Sequence, residues 1–343
     1  MRRSVLLLVL LVGLLALAGA VAAQDMPPPP GEVVVDGLMQ PRGISFGPDG
    51  ELIVVEGGDG GDLLLAETPE GNLMVGMDWS VSSVAADGTK TPLLLLPSIS
   101  TGAEALSAYR VYWHDDSWWV IMSGGAPDQP PWNPLSATVL QLDPGGRIQT
   151  VIDTWAFEEA NNPDGTEEIN SNPGDIAWLS DGTMLITDSG ANALLSWTAA
   201  DGLQLVHAWG NDVPSSVDVT ADDEVYIGFL GEQIAPGAGR IEHWSGDELV
   251  ETFGGLTGVT DIAVTDDGTV YAVQLFQAGD DPAAPPGPGN IVSVTADGAT
   301  PVVEGLVLPH SLAIGDDGSI YVTVGTAAFF GPVPGQVLKI GGM

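Results

Sequence analysis

Residues 34–50 read VVDGLMQPRGISFGPDG and residues 302–318 read VVEGLVLPHSLAIGDDG, and the two stretches align without a gap. Each has two apolar residues separated by one residue, then an acidic Asp-Gly turn, and each leads into a run rich in Val, Ile and Tyr. Alternation around an Asp-Gly turn predicts a β-hairpin, because glycine accepts the positive φ that such turns need. The sequence therefore predicts a protein built from repeated hairpins.

Four further copies of this unit lie between the two stretches. The spacing between consecutive turn aspartates is 67, 65, 41, 45 and 50 residues. Repeats of about 40 to 50 residues built from strands indicate the blades of a β-propeller. The two long spacings contain insertions, at 57–77 and 155–171. The turn aspartates are Asp49, Asp116, Asp181, Asp222, Asp267 and Asp317.

Two more strands are predicted after each hairpin, except that the sixth copy reaches the end of the chain after three strands. Residues 32–37 (EVVVDG) match PVVEG, the predicted fourth strand of the fifth copy. We therefore predict an all-β fold, a six-bladed β-propeller of four-stranded antiparallel blades over residues 32–343, closed by the N-terminal strand. Four tryptophans at strand positions are expected to pack between blades: Trp113, Trp178, Trp197 and Trp244.

The first 23 residues have the pattern of a secretory signal peptide. Arg2 and Arg3 precede an apolar run over 5–18, and residues 21–23 form a small-residue cleavage site. An uncleaved membrane anchor is the alternative, but the apolar run is short for a span and ends in small residues. Residues 24–31 are a Pro-rich spacer. We expect a secreted or extracytoplasmic protein with no integral membrane segment after cleavage, and with no disulfides because the chain has no cysteine.

The chain carries 8 Lys+Arg against 46 Asp+Glu. Removal of Arg2 and Arg3 leaves 6 basic residues, so the mature formal charge is 6 − 46 = −40. Such a surface repels nucleic acid and anionic lipid, and both are excluded as partners. The acidity serves either solubility or cation binding, and the spread of the acids through the turns favours solubility. We expect a monomer.

Five regions of the mature chain form an ordered set of motifs: 37–58, 161–165, 171–195, 213–230 with 236–241, and 255–273. Together they resemble the ScyD/ScyE family of exported propellers associated with scytonemin gene clusters, and more broadly the NHL-type propellers. Two positions depart from the family pattern: Gly174 stands where an aromatic residue is usual, and Ala191 where a glycine is usual. The resemblance implies a propeller, export and a poorly defined binding role, and it supplies no catalytic residue.

Candidate ligand-binding residues follow from propeller geometry. The loops that enter the innermost strand and leave the second strand share one face around the axis, and polar residues that vary between repeats are expected to carry function there. Aromatic residues of the long, Pro-rich loops are expected to line an apolar mouth, unless those loop tips fold over their own blades. The candidates for binding a small molecule or a protein are Arg42, Tyr109, Arg110, Trp132, Phe229, Phe276, His310, Phe329 and Phe330.

A calcium-dependent lactonase or esterase is the alternative, since enzymes of that type are also six-bladed. The metal would be held by acids near the axis, Glu56, Asp175, Asp188 and Asp261, with His310 as proton acceptor and Arg42 holding an anionic group. Against it, four such acids are unsurprising among 46, and a lone histidine is usually structural. The sequence has no G-x-S-x-G motif and no EF-hand-like loop, and 161–165 is more typical of a plain turn than of a cation site. A structural interaction platform at the cell envelope is a third hypothesis.

Overall fold

The computed structural model describes residues 28–58, 60–68, 71–100, 105–106, 108–124, 135–277, 287–326, 333 and 335–341. These residues form six antiparallel sheets arranged as the blades of a six-bladed β-propeller. The first strands of successive blades contact one another, and the first strand of the sixth blade returns to the first blade, so the ring is closed. The predicted fold class is confirmed.

The blades follow one another along the chain. Blade 1 contains β2 (Pro41–Phe46), β3 (Leu52–Glu56), β5 (Gly71–Val84) and β6 (Lys90–Ser100). Blade 2 contains β8 (Ala108–His114), β9 (Ser117–Met122), β10 (Thr138–Leu142) and β11 (Ile148–Asp153). Blade 3 contains β12 (Pro173–Trp178), β13 (Met184–Asp188), β14 (Ala193–Thr198) and β15 (Gly202–Ala208). Blade 4 contains β16 (Pro214–Val219), β17 (Glu224–Phe229), β18 (Gly239–Ser245) and β19 (Glu248–Leu256). Blade 5 contains β20 (Val259–Val264), β21 (Val270–Gln274), β22 (Gly289–Thr295) and β23 (Gly298–Leu306). Blade 6 contains β24 (Leu312–Ile314), β25 (Ile320–Val324), β26 (Gly335–Ile340) and β1 (Glu32–Leu38).

The ends of the chain meet in the sixth blade as predicted. β1 pairs antiparallel with β26, with Val33 opposite Leu338 and Val35 opposite Val337. This pairing gives the outer edge of β26 a partner and ties the N-terminal segment into the ring.

Both predicted insertions contain secondary structure. In the first, the short strand β4 (Leu63–Thr68) pairs with the extended end of β5. Outside the insertion, β7 (Ala105–Leu106) pairs with the end of β6. After blade 2, the helix α1 (Thr154–Asn161) begins at the cap residue Asp153, whose carboxylate accepts a hydrogen bond from the Ala156 amide.

The hydrophobic core is divided into six clusters, each between two neighbouring blades. Successive side chains of a strand point to opposite faces of the sheet. Ile53 and Val55 of β3 therefore enter the core shared with blade 2, whereas Leu52 and Val54 enter the core shared with blade 6. The four tryptophans predicted between blades do pack against these inter-blade clusters.

The backbone conformation of the turn residues explains how two copies of the repeat form a hairpin without the turn glycine. In regular copies the turn glycine has a positive φ, as Gly182 does at 86°. In the second and fourth copies Asp116 and Asp223 take the left-handed conformation themselves, at φ 54° and 61°. Aspartate tolerates this conformation better than most residues, so these copies keep the hairpin without the glycine.

Within the part of the chain that the structure describes, no helix has the length and apolarity needed to cross a bilayer.

Candidate functional site

The first strand of nearly every blade begins with the same irregularity. β2, β8, β12, β16 and β20 each show a register shift close to their first residues. A β-bulge puts two residues of one strand opposite one residue of its partner and re-aims their side chains. The bulges coincide with the residue pairs that the sequence places at the axis, among them Tyr109-Arg110 and Thr260-Asp261.

Arg110 spans the axis of the propeller. From blade 2, its Nη1 lies 2.8 Å from Asp261 Oδ1 in blade 5, and its Nη2 donates to the Thr260 carbonyl at 2.9 Å. Nη1 also lies 3.2 Å from the Ser311 hydroxyl in blade 6. Arg110, a predicted ligand contact, is buried and is part of the structural floor of the channel.

Asp175 of blade 3 completes this floor. Its Oδ1 accepts the Tyr112 hydroxyl at 2.6 Å and lies 3.7 Å from Arg110 Nε, while Oδ2 accepts the Val217 amide at 3.1 Å. Burial raises the pKa of Asp175 to about 7, and the charge of Arg110 opposes that rise. Burial alone would lower the pKa of Arg110, but Asp175 and Asp261 outweigh it and hold that pKa well above its usual value.

Asp261, the second carboxylate at the axis, also has partners on both of its oxygens. Asp261 Oδ2 accepts the Ser311 hydroxyl at 2.7 Å and the Leu312 amide at 2.8 Å, in addition to the ion pair of Oδ1 with Arg110. The guanidinium and these donors therefore take the places that a bound cation would need.

Arg42, Tyr109 and His310 lie together beside this floor and come from blades 1, 2 and 6. His310 Nε2 is 2.7 Å from the Tyr109 hydroxyl, and the two rings meet edge to face with centroids 4.8 Å apart. The Arg42 guanidinium carbon lies 5.8 Å from the centre of the Tyr109 ring. We call this group, Arg42, Tyr109 and His310, the axial triplet.

The His310 ring is held neutral. Burial lowers its pKa well below the usual value, and the positive charges of Arg42 and Arg110 lower it further. Its Nδ1 is buried without a well-formed hydrogen bond, and an interaction with the Arg42 backbone opposes the fall in pKa. A buried neutral imidazole with one unsatisfied nitrogen can accept or donate one more hydrogen bond.

The other two predicted metal ligands lie elsewhere. Glu56 pairs with Lys90, with Oε2 2.9 Å from Nζ. Asp188 is fully buried and accepts hydrogen bonds from the Ser171 hydroxyl and from the amides of three residues of the surrounding loops. Among the residues the structure describes, no three His, Asp or Glu side chains are placed to hold a metal ion. The four predicted carboxylates are thus not brought together, and the two at the axis do not fit calcium because Arg110 already neutralises them.

The aromatic residues predicted at the mouth have different positions. Phe229 is fully buried in the core between blades 3 and 4, where it contacts Trp209, and Arg240 lies over its ring at 3.9 Å. It therefore does not line an open mouth, contrary to the expectation. Phe276 is half-buried at the end of β21. Trp132, Phe329 and Phe330 lie outside the described residues.

Sequence reasoning missed two features. The first is the part that Tyr112, Thr260 and Ser311 take in the axial network. A groove of about 710 Å³ also opens between blades 3 and 4, lined by apolar residues such as Leu185 and Val225 and by Trp244, with acidic residues including Asp222 and Asp247. It lies among the hairpin turns, at the opposite ends of the strands from the axial triplet.

No protein-family model and no curated protein matches the sequence. Solved structures do share its fold. A gluconolactonase from Xanthomonas campestris superposes with a TM-score of 0.55 at 10% identity, over 92% of this chain and 96% of that one. A putative gluconolactonase gives a TM-score of 0.54 at 12% identity, over 92% and 94%. A catalytically inactive virginiamycin B lyase from Staphylococcus aureus, solved with quinupristin, gives 0.50 at 13% identity, over 89% and 86%. These structural neighbours are six-bladed propeller enzymes, and at this identity the likeness shows the fold alone.

Proposed function

We propose that this protein is an exported propeller that binds a small molecule or a partner protein at the axial triplet. The observation that carries the proposal is the contact between Tyr109 and His310, two residues 201 positions apart that meet at 2.7 Å beside the Arg42 guanidinium. Three blades each contribute one side chain with hydrogen-bonding capacity or charge to this spot. A rigid scaffold that presents dissimilar polar groups at one place is the usual basis of a binding site.

The Arg110 network beneath supports binding over metal-dependent hydrolysis. Arg110 ties blade 2 to blades 3, 5 and 6 and neutralises both axial carboxylates. A ligand at the axial triplet therefore meets a firm floor whose charges are already compensated. Such a floor holds the neighbouring side chains in place, and less ordering is then needed on binding.

Export and the ScyD/ScyE resemblance belong to the same proposal. The leader at 1–23 and the family-like stretches support an extracytoplasmic role, tied to a secondary-metabolite or envelope process. Expression of the full chain in a bacterial host, followed by N-terminal sequencing of the exported fraction, tests this. A mature protein that begins close to Gln24 is expected, whereas a cytoplasmic, uncleaved product would contradict it.

A library screen by thermal shift tests binding at the axial triplet. Compounds that raise the melting temperature are expected to lose most of this effect in Tyr109→Phe, which removes only the hydroxyl that contacts His310. The matched control is Tyr271→Phe, a half-buried tyrosine in blade 5. Ligands that stabilise both variants equally would place the binding site elsewhere.

Hydrolysis is a second candidate because of His310. Its lowered pKa leaves the imidazole unprotonated near neutral pH, as a general base requires, and Tyr109 orients it. The gluconolactonases that share the fold make lactones the first substrates to try. Turnover of a lactone or aryl ester that is abolished in His310→Gln would favour this candidate, and uniform inactivity across the panel would count against it.

A further inference from the structure

Arg42 is buried, and no acidic residue that the structure describes is paired with it. Only 9% of its surface is exposed, and within the described ranges its side chain forms no ion pair and no hydrogen bond with another residue. Taking a charge out of water without a partner is costly, and buried cations in folded proteins are normally paired.

The ion pairs of the other basic residues make the position of Arg42 more unusual. Six basic residues remain after the leader, and the four that form ion pairs do so with neighbouring carboxylates: Lys90, Arg110, Arg240 and Lys339. Arg147 is exposed to solvent. A protein with 46 acidic residues has abundant partners for its few cations, yet none of the acidic residues in the described part of the chain pairs with Arg42.

We propose that the axial triplet binds an organic monocarboxylate, with the Arg42 guanidinium as its anchor. This inference rests on the proposed function and names the class of ligand. A guanidinium holds a carboxylate through two parallel hydrogen bonds, which a single ammonium cannot do. The buried and unsatisfied Nδ1 of the neighbouring His310 ring offers one further polar contact.

The charge of the protein favours a monoanion. The formal charge of −38 repels every approaching anion, and the repulsion grows with the charge that the ligand carries. A carboxylate with a single charge gains the full contact with Arg42 at the smallest long-range cost. Inorganic phosphate, which near neutral pH is a mixture of the monoanion and the dianion, shares the oxyanion chemistry but is disfavoured by the same field.

The experiment compares acids with a neutral counterpart in the full exported chain. Formate, acetate and benzoate are expected to raise the melting temperature progressively, with the logarithm of their concentration once it exceeds the dissociation constant, whereas methyl benzoate is not expected to raise it. In Arg42→Gln the apparent affinity for benzoate should fall about ten- to a hundredfold, the effect of losing a charge-assisted pair. Arg147→Gln makes the same charge change at an exposed site and should leave the affinity unchanged.

The melting temperature of the Arg42→Gln variant without ligand is a second test of the inference. Because none of the described acidic residues is paired with Arg42, ligand-free Arg42→Gln is expected to fold and to melt at or above the melting temperature of the unmodified protein, which a structural arginine would not allow.

Each other outcome is decisive. Equal stabilisation by benzoate and methyl benzoate, insensitive to Arg42→Gln, would overturn the carboxylate inference while leaving binding at the axial triplet intact. Absence of any effect of the three acids would also overturn it. Tighter, Arg42-dependent binding of inorganic phosphate than of acetate would replace the carboxylate with a phosphate ligand.

Discussion

Arg110 and Asp261 stand 151 positions apart in the sequence and meet across the propeller axis, with Nη1 and Oδ1 at 2.8 Å. Both side chains are buried. The pair links blade 2 to blade 5, so it holds together sheets that no strand pairing connects. Its position below the axial triplet makes it the floor on which the candidate site is built.

Replacement of Arg110 by methionine should destabilise the protein strongly. The change leaves Asp175 and Asp261 buried together without their cation, and breaking a buried pair in this way typically costs about 3–5 kcal/mol. Urea denaturation measures the loss of stability. It is done at pH 8, because both carboxylates are then charged and their burial without Arg110 costs the most free energy. In the double variant Arg110→Met/Asp261→Asn part of the stability should return. A loss below about 1 kcal/mol in the single variant would contradict the role assigned to this pair.

The sequence predicted the ring but not the partners across it. The closing strand could be predicted from the sequence pattern, because EVVVDG (32–37) resembles the fourth strand of the fifth blade and the sixth blade lacks a fourth strand of its own. The partner of Arg110 could not follow in the same way, since it depends on the width of the channel and on bulges that have no sequence signature. Phe229 is different: it continues the alternation of Val225 and Ile227, and period two along β17 already places it in the core. Its assignment to the mouth neglected that alternation.

Glu158 should make the stability fall as the pH rises towards neutrality. This helix residue is fully buried and its Oε2 has no hydrogen-bond partner. Burial raises its pKa from 4.5 to about 7, so the folded state retains a proton that the unfolded chain releases between these values. The free energy of unfolding should therefore decrease across this range, by up to about 3 kcal/mol.

The variant Glu158→Gln removes that titration. Relative to the unmodified protein it is expected to gain stability at pH 8 and to show little difference at pH 5, in urea denaturation at both pH values. Glu159→Gln, at the exposed neighbouring position, is the control and should change neither. An equal effect of Glu158→Gln at both pH values would mean that the carboxyl does not titrate in this range.

Glu242 should be sensitive to loss of its carboxylate. Buried between blades 3 and 4, it accepts Arg240 Nε at 2.7 Å, Trp244 Nε1 at 3.0 Å and Trp209 Nε1 at 3.2 Å. Glu242→Leu would leave these donors unsatisfied, at a cost of about 3–5 kcal/mol. Denaturation followed by tryptophan fluorescence measures the loss, and Glu248→Leu at an exposed position of β19 serves as control. Equal effects of both substitutions would show that the carboxylate network adds nothing.

Closure of the ring by the N-terminal strand is tested by two substitutions in that strand. Val35 is 6% exposed and packs with Val337 in the core between blades 6 and 1, whereas Val33 is 39% exposed on the outer face. Val35→Asp would bury an unpaired carboxylate and should lower the free energy of unfolding by at least about 3 kcal/mol, while Val33→Asp should change it by no more than about 0.5 kcal/mol.

Urea denaturation measures both effects. Deletion of residues 28–38 is the limiting case: it leaves the outer edge of β26 without a partner, and aggregation is expected. Because the two substitutions introduce the same charge two residues apart, net charge and chain flexibility cannot account for a difference between them. Equal tolerance of both would mean that β1 does not complete the sixth blade, and the positions of the Arg110 floor and of the axial triplet would then have to be reconsidered.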